Sequence, residues 1–244
     1  MSKKQQTDQV PPLPDEQHIV RLLRRRLRMV VIAAVLLALL ALALAIALVA
    51  TPLSEQILPG HDSAGDQTIT NPDARLAKFY RPEVLYWRDE ILGWAQEYSV
   101  NPNVIAIVIQ IESCGGPSAI SSAGATGLMQ VMPFHFENGE NLLNPDTNVQ
   151  RGMTVFYECL TVFADWDLGL ALACYNGGPR VTQVDSAYWY EETRAYYRWA
   201  TGLWEDVTEG NESSDTLEQW LAAGGLRLCE ETAAYLFPAE DEEK

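Results

Sequence analysis

Asn101-Pro102-Asn103-Val104-Ile105-Ala106-Ile107-Val108-Ile109-Gln110-Ile111-Glu112-Ser113 is the stretch on which the fold turns. Asn101 is a candidate N-cap, because a short side-chain oxygen there accepts from a free backbone N–H, and Pro102 suits the first helical position, where its missing N–H costs nothing. Apolar side chains run nearly all round residues 102–113, so a helix here is buried on most sides. The β-branched residues would also suit a strand; the cap and the 12-residue length favour the helix. At its end stands one carboxylate, Glu112. Burial and the partial negative charge of a helix C-terminus both oppose ionisation, so this carboxyl is expected to hold its proton toward neutral pH, as a general acid must. A glutamate projecting into water where the helix stops is the plain alternative, and this segment alone does not separate the two.

Outward from this helix the pattern stays helical. Upstream, Val84, Leu85, Trp87, Ile91, Leu92, Trp94 and Ala95 recur at three- and four-residue intervals, which predicts a helix with one buried face from Pro82 onward. Downstream, glycines and serines between Gly115 and Gly127 mark a long loop, and Asn144-Pro145-Asp146-Thr147 marks another helix start. A helix over residues 148–163 turns at Ala164-Asp165-Trp166-Asp167 into one that stops at Asn176-Gly177-Gly178-Pro179. Further helices are expected over 191–204, 216–223 and 229–236. No segment alternates convincingly with period two, so the body is predicted to be mostly α.

The N-terminal part has a different character. Residues 29–50 are 22 in number and carry no charged or hydrogen-bonding side chain, which is long enough to span a ~30 Å hydrocarbon layer. Five arginines from Arg21 to Arg28 precede this run and no Lys or Arg follows it closely, which predicts a transmembrane helix with a cytoplasmic N-terminus and an exported body. A cleaved signal peptide is the alternative; the apolar run is longer than an h-region needs. The net charge of -16 is segregated, with seven basic and three acidic residues over 1–28 and ten basic against thirty acidic after residue 50. Such an acidic body repels phosphate backbones, which excludes nucleic acid, while a neutral glycan carries no such penalty. Residues 51–73 read as a solvated linker and the polar residues 1–17 as disordered. The cysteines, Cys114, Cys159, Cys174 and Cys229, contain no C-x-x-C, and His18, His61 and His135 form no cluster, so neither a metal nor another cofactor is expected.

Three blocks carry a resemblance: Ile111-Glu112-Ser113, then Ala123-Gly124-Ala125-Thr126-Gly127-Leu128-Met129-Gln130-Val131-Met132-Pro133, then Ala173-Cys174-Tyr175-Asn176-Gly177-Gly178. In order and spacing they resemble the soluble lytic transglycosylase (SLT) family, whose catalytic domain has a goose-type lysozyme-like helical fold. Glu192-Thr193-Arg194-Ala195-Tyr196-Tyr197 is a fainter fourth match. The resemblance implies that Glu112 is the catalytic acid and base with Ser113 as its polar neighbour. It implies that Gly127, Met129, Gln130 and Met132 shape the cleft, that Tyr175 and Asn176 face the reacting sugar, and that Glu192 and Tyr196 contribute to sugar binding. The residues themselves allow blander roles: a structural turn for Gln130, a core aromatic for Tyr175, a surface pair for Glu192 and Tyr196. The implied substrate is the peptidoglycan glycan strand, cut between N-acetylmuramic acid and N-acetylglucosamine with formation of a 1,6-anhydro ring.

Two departures from the family pattern are Cys114, after the Glu-Ser pair, and Cys174, before the tyrosine. Cys159 and Cys174 are equidistant from the turn at Trp166-Asp167, so in an antiparallel helix pair they face each other, and Cys114 is left for Cys229. Free buried thiols are the alternative. The expected organisation is a cytoplasmic tail (1–28), a membrane anchor (29–50), a linker (51–73), a lysozyme-like catalytic domain (74–204) and a helical extension with an acidic tail (205–244). Two other functions stay open: a muramidase in which Asp146, Glu137 or Glu140 positions water, and a catalytically silent glycan-binding scaffold.

Overall fold

The central helix begins as its chemistry requires, with Asn101 Oδ1 accepting from Asn103 N at 3.0 Å and Pro102 in the first turn. The computed structural model describes residues 64–238, all within one compact unit, residues 62–244. Its α-helices are α1 (Ala64–Ile69), α2 (Pro82–Leu85), α3 (Arg88–Tyr98), α4 (Pro102–Glu112), α5 (Pro145–Glu158), α6 (Leu168–Gly177), α7 (Glu191–Glu209), α8 (Asp215–Trp220) and α9 (Leu226–Leu236). Among the described residues, extended pairing is confined to two isolated bridges, Ile120 with Thr126 and Thr126 with Val131. The mostly α expectation therefore stands.

Three later helices use the same starting device as α4. Asn144 Oδ1 accepts from Thr147 N, Asp167 Oδ1 from Leu170 N and Ser214 Oγ from Leu217 N, each at 2.9 Å. Helix α4 is the axis of the body: residues 102–111 are all buried, packed by α3 and by α7. Val104, Ile105, Ile107, Val108 and Ile109 have essentially no exposed surface, and each contributes roughly 1.5–3 kcal/mol by leaving water. Two polar side chains on this helix are also buried, and both are bonded. Asn103 donates to Arg75 O and accepts from Ala77 N, each at 2.9 Å, and Gln110 accepts from Arg81 N at 3.1 Å, so residues 75–81 are tied to α4.

The structure moves several boundaries. Residues 51–73 do not all belong to a linker: Ala64–Ile69 is helical, Ile69 is buried, and its carbonyl accepts from Asn101 N at 2.6 Å. A composition average over that stretch hides Ile69, an apolar side chain that docks. The face read from Pro82 onward is split at Tyr86 and Trp87, although Val84, Trp87, Ile91, Trp94 and Ala95 are buried as expected. Helix α5 starts at Pro145 and gives way at Cys159–Phe163 to a wider π turn. Helix α7 continues past residue 204 to Glu209, so the body and its extension share one helix. Both expected disulfides are present, Cys159 with Cys174 at a Cα separation of 5.7 Å and Cys114 with Cys229 at 5.1 Å. The membrane segment read at residues 29–50 lies outside the described residues, and among those described no helix is long and apolar enough to cross a membrane.

Candidate active site

Helix α4 delivers Glu112 at its last turn, half-buried, after a run of side chains that have left water. Burial pushes its carboxyl up to about 8, the Tyr196 hydroxyl pulls it back, and the negative charge of Glu192 adds to the rise. At neutral pH this carboxyl is mostly protonated. The residues that act on it come from α7: Tyr196 is buried, and Glu192 is exposed in the helix's first turn. Tyr175 arrives on α6, and the charge of Glu112 acts on its hydroxyl. Both tyrosine hydroxyls are held well above their usual range, by burial first and the Glu112 charge second, so they are neutral donors. Tyr196 Oη is buried and closes no hydrogen bond of ordinary geometry among the described residues. It lies close enough to Glu112 to favour the carboxylate, a loose contact of the kind that tightens when a ligand binds.

The loop through residues 119–131 is fixed from several sides. Ser113 Oγ donates to Leu128 O and Tyr175 Oη donates to Met129 O, both at 2.7 Å. Asn148, on α5, accepts from Met129 N at 2.8 Å and donates to Thr126 O at 2.7 Å and Leu142 O at 3.0 Å. Gly127 has φ 76°, and a Cβ there would sit 2.4 Å from Asn148 Nδ2, so no other residue fits. Gln130 adopts φ 48°, and its Nε2 donates to Gly127 O at 3.0 Å and Ala119 O at 3.1 Å. That strained backbone is held by its own side chain.

The residues named from sequence therefore divide into three groups. Glu112, Glu192, Tyr196 and Tyr175 form one electrostatically connected group. Gln130, Met132 and Asn176 keep part of their surface exposed. Ser113, Gly127 and Met129 do not: they are buried. Ser113 spends its hydroxyl on Leu128 O, and Met129 is held through its backbone. Sequence reading missed Asn148. A signal existed, because Asn148 shares the buried face of α5 with Val149, Gly152, Met153 and Phe156, and a polar side chain on such a face must find partners.

The carboxylates considered as water-positioning groups are otherwise engaged. Asp146 accepts from Trp94 Nε1 at 2.9 Å, while Glu137 and Glu140 pair with Arg151 at 2.8 and 2.5 Å. The Arg151 hydrogen bond holds the Glu140 carboxyl below its usual range.

Residues 89–197 match the family described as the transglycosylase SLT domain. The chain is 32% identical over 114 residues to a transglycosylase of Enterobacteria phage PRD1, an alignment covering 46% of this chain and 40% of that protein. It is 33% identical over 79 residues to membrane-bound lytic murein transglycosylase E of Buchnera aphidicola subsp. Acyrthosiphon pisum (strain APS), covering 27% of this chain and 36% of that protein. The lytic transglycosylase Slt of Pseudomonas aeruginosa aligns in structure with a TM-score of 0.37 and 23% identity, over 62% of this chain and 24% of that one. The chain thus spans well under half the length of the curated relatives it matches. Residues 89–197, which contain Glu112 and its two tyrosines, thus match the transglycosylase SLT domain, a likeness that extends over somewhat less than half of the chain.

Proposed function

We propose that the chain is a peptidoglycan lytic transglycosylase, with Glu112 acting first as general acid and then as general base. The observation that carries this reading is the Glu112 carboxyl itself, half-buried at the end of an apolar helix, held near neutrality in its titration and faced by two neutral tyrosines. An acid and base that serves both halves of a reaction works best with a pKa near the working pH. In the proposed sequence Glu112 gives its proton to the oxygen joining N-acetylmuramic acid to N-acetylglucosamine. That bond breaks while the acetamido oxygen of the muramic residue bonds to the anomeric carbon. Glu112, now ionised, removes the proton of the C6 hydroxyl; the C6 oxygen displaces the acetamido oxygen, and the 1,6-anhydro ring closes with Glu112 reprotonated. The Tyr196 hydroxyl stabilises the carboxylate between the two steps, while Tyr175, whose hydroxyl is given to Met129 O, holds the neighbouring loop. Gln130, Met132 and Asn176 line the glycan cleft, with Glu192 at its edge.

Hydrolysis by a partner carboxylate is less well supported, since Asp146, Glu137 and Glu140 are all engaged by protein groups. Residues 29–50 are proposed as the membrane anchor that holds the body outside the cytoplasm against the wall; the relative from Buchnera is itself named membrane-bound. Mass spectrometry of muropeptides released from purified peptidoglycan tests the reaction type. The expected products end in anhydromuramic acid, one water lighter than hydrolysed ends. Products made up of reducing ends would assign the chain as a muramidase instead.

A further inference from the structure

We infer that helix α9, which lies beyond the family-matched residues, is a positioning element for Glu112 and acts through Thr232 and Cys229 on the turn that follows the acid. This rests on the assignment of Glu112 proposed above. The turn is strained: Cys114 has φ 48° and Gly115 has φ 84°, two consecutive left-handed residues, the first of which has a side chain. Such backbone persists only where its surroundings over-determine it, and here they do. The Thr232 hydroxyl donates to Ser113 O at 3.0 Å, and Gly116 N donates to the same oxygen at 3.0 Å. Cys114 is bonded to Cys229 of α9. On the other side, Trp87 Nε1 donates to Gly115 O at 2.8 Å, and a Cβ on Gly115 would lie 2.3 Å from Glu83 O. Ser113, Cys114, Cys229 and Thr232 are all buried. Two of these anchors, the hydroxyl and the disulfide, come from α9.

Ser113 is the C-cap of α4, so its carbonyl adds to the negative end of the helix beside the Glu112 carboxyl. A hydroxyl donated to that carbonyl offsets part of this field and fixes the peptide that sets where Glu112 points. The ionisable groups acting on Glu112 are Tyr196 and Glu192 of α7, and Tyr175 of α6 is a further group that feels its charge. Thr232 carries no charge, so its effect is read through the carbonyl it binds.

The test uses the full-length chain with Thr232→Val, which keeps the shape and removes the donor, and Thr232→Ser, which restores the donor. The Glu112 side-chain carbon is followed by 13C NMR against pH without substrate, and kcat and KM are measured on glycan strands. For Thr232→Val the midpoint is expected to rise by about 0.2–0.7, with kcat down roughly 3–10-fold and KM unchanged; Thr232→Ser should return both to the parent values. An unmoved midpoint and kcat, with only a lower melting temperature, would make α9 a structural buttress and overturn the inference. Should Thr232→Val not fold, the Cys114→Ala/Cys229→Ala pair leaves the hydroxyl in place and removes the other anchor. A displaced midpoint supports the inference there, and a parental one refutes it. Because the titration needs no turnover, a chain that cleaves no glycan would sink the proposed activity and still decide this point.

Discussion

Glu112→Gln is expected to lower glycan-strand cleavage by roughly 10³-fold, within the range removed with a general acid and base, while making the fold more stable at neutral pH. The two effects have one cause. A carboxyl pushed from 4.5 up to about 8 binds its proton more tightly in the folded chain than in the unfolded one. Between those values the folded state carries more protons, so this group's contribution to stability is complete below pH 4.5 and is lost as pH rises toward 8. Glutamine has no such linkage. From the shift alone the gain at pH 7 has a ceiling of about 3 kcal/mol, and water reaching a half-buried carboxyl lowers the expected figure to about 1–2 kcal/mol. Denaturation of the full-length protein should therefore show Glu112→Gln more stable than its parent at pH 7 and equal to it at pH 4. A variant that still lyses peptidoglycan at the parental rate would show that Glu112 is not the acid, and a parent protein that lyses none would favour the silent scaffold. Equal stability at both pH values would mean that the carboxyl is an ordinary hydrated one.

Asn148→Ala is expected to cost about 3 kcal/mol of stability and to reduce kcat more than it raises KM. The side chain is buried and serves three backbone groups, Met129 N, Thr126 O and Leu142 O. Removing it leaves those groups short of a partner, at about 1 kcal/mol or more each. The loop so loosened also carries Leu128 O and Met129 O, the acceptors of Ser113 and Tyr175, so the disturbance reaches the residues around Glu112. Asn148→Asp should be no better than alanine, because a carboxylate keeps the acceptor for Met129 N but turns an anion toward two carbonyl oxygens. Urea denaturation and initial rates on glycan strands check both. A loss under 1 kcal/mol with unchanged kcat would show that water replaces the amide and that the loop holds itself.

The helices were legible where the sequence names their ends. Asn101 caps as read, and Asn144 and Asp167, read only as a helix start and the end of a turn, prove to be caps as well. Cys159 and Cys174 were legible as a pair because a symmetric hairpin fixes their separation. The apolar run before Glu112 left a buried acid and a solvent-facing one both open, and the three family-like blocks decided between them. What lay beyond reach depended on tertiary contact. Nothing near Thr232 in sequence shows that its hydroxyl meets a carbonyl 119 residues away. Nor does composition separate Ile69, which docks, from the solvated residues around it. Ser113 and Met129 were named through the family resemblance, which does not say which way a side chain turns; the packed loop shows both buried.

Acid–base catalysis at this site depends most on the proton that Glu112 keeps, and 13C NMR titration of its side-chain carboxyl in the full-length protein reads that proton directly. A midpoint near 8 is the expected result, with the resonance still that of a carboxylic acid at pH 6. A midpoint near 4.5, the value of a glutamate in water, would contradict it.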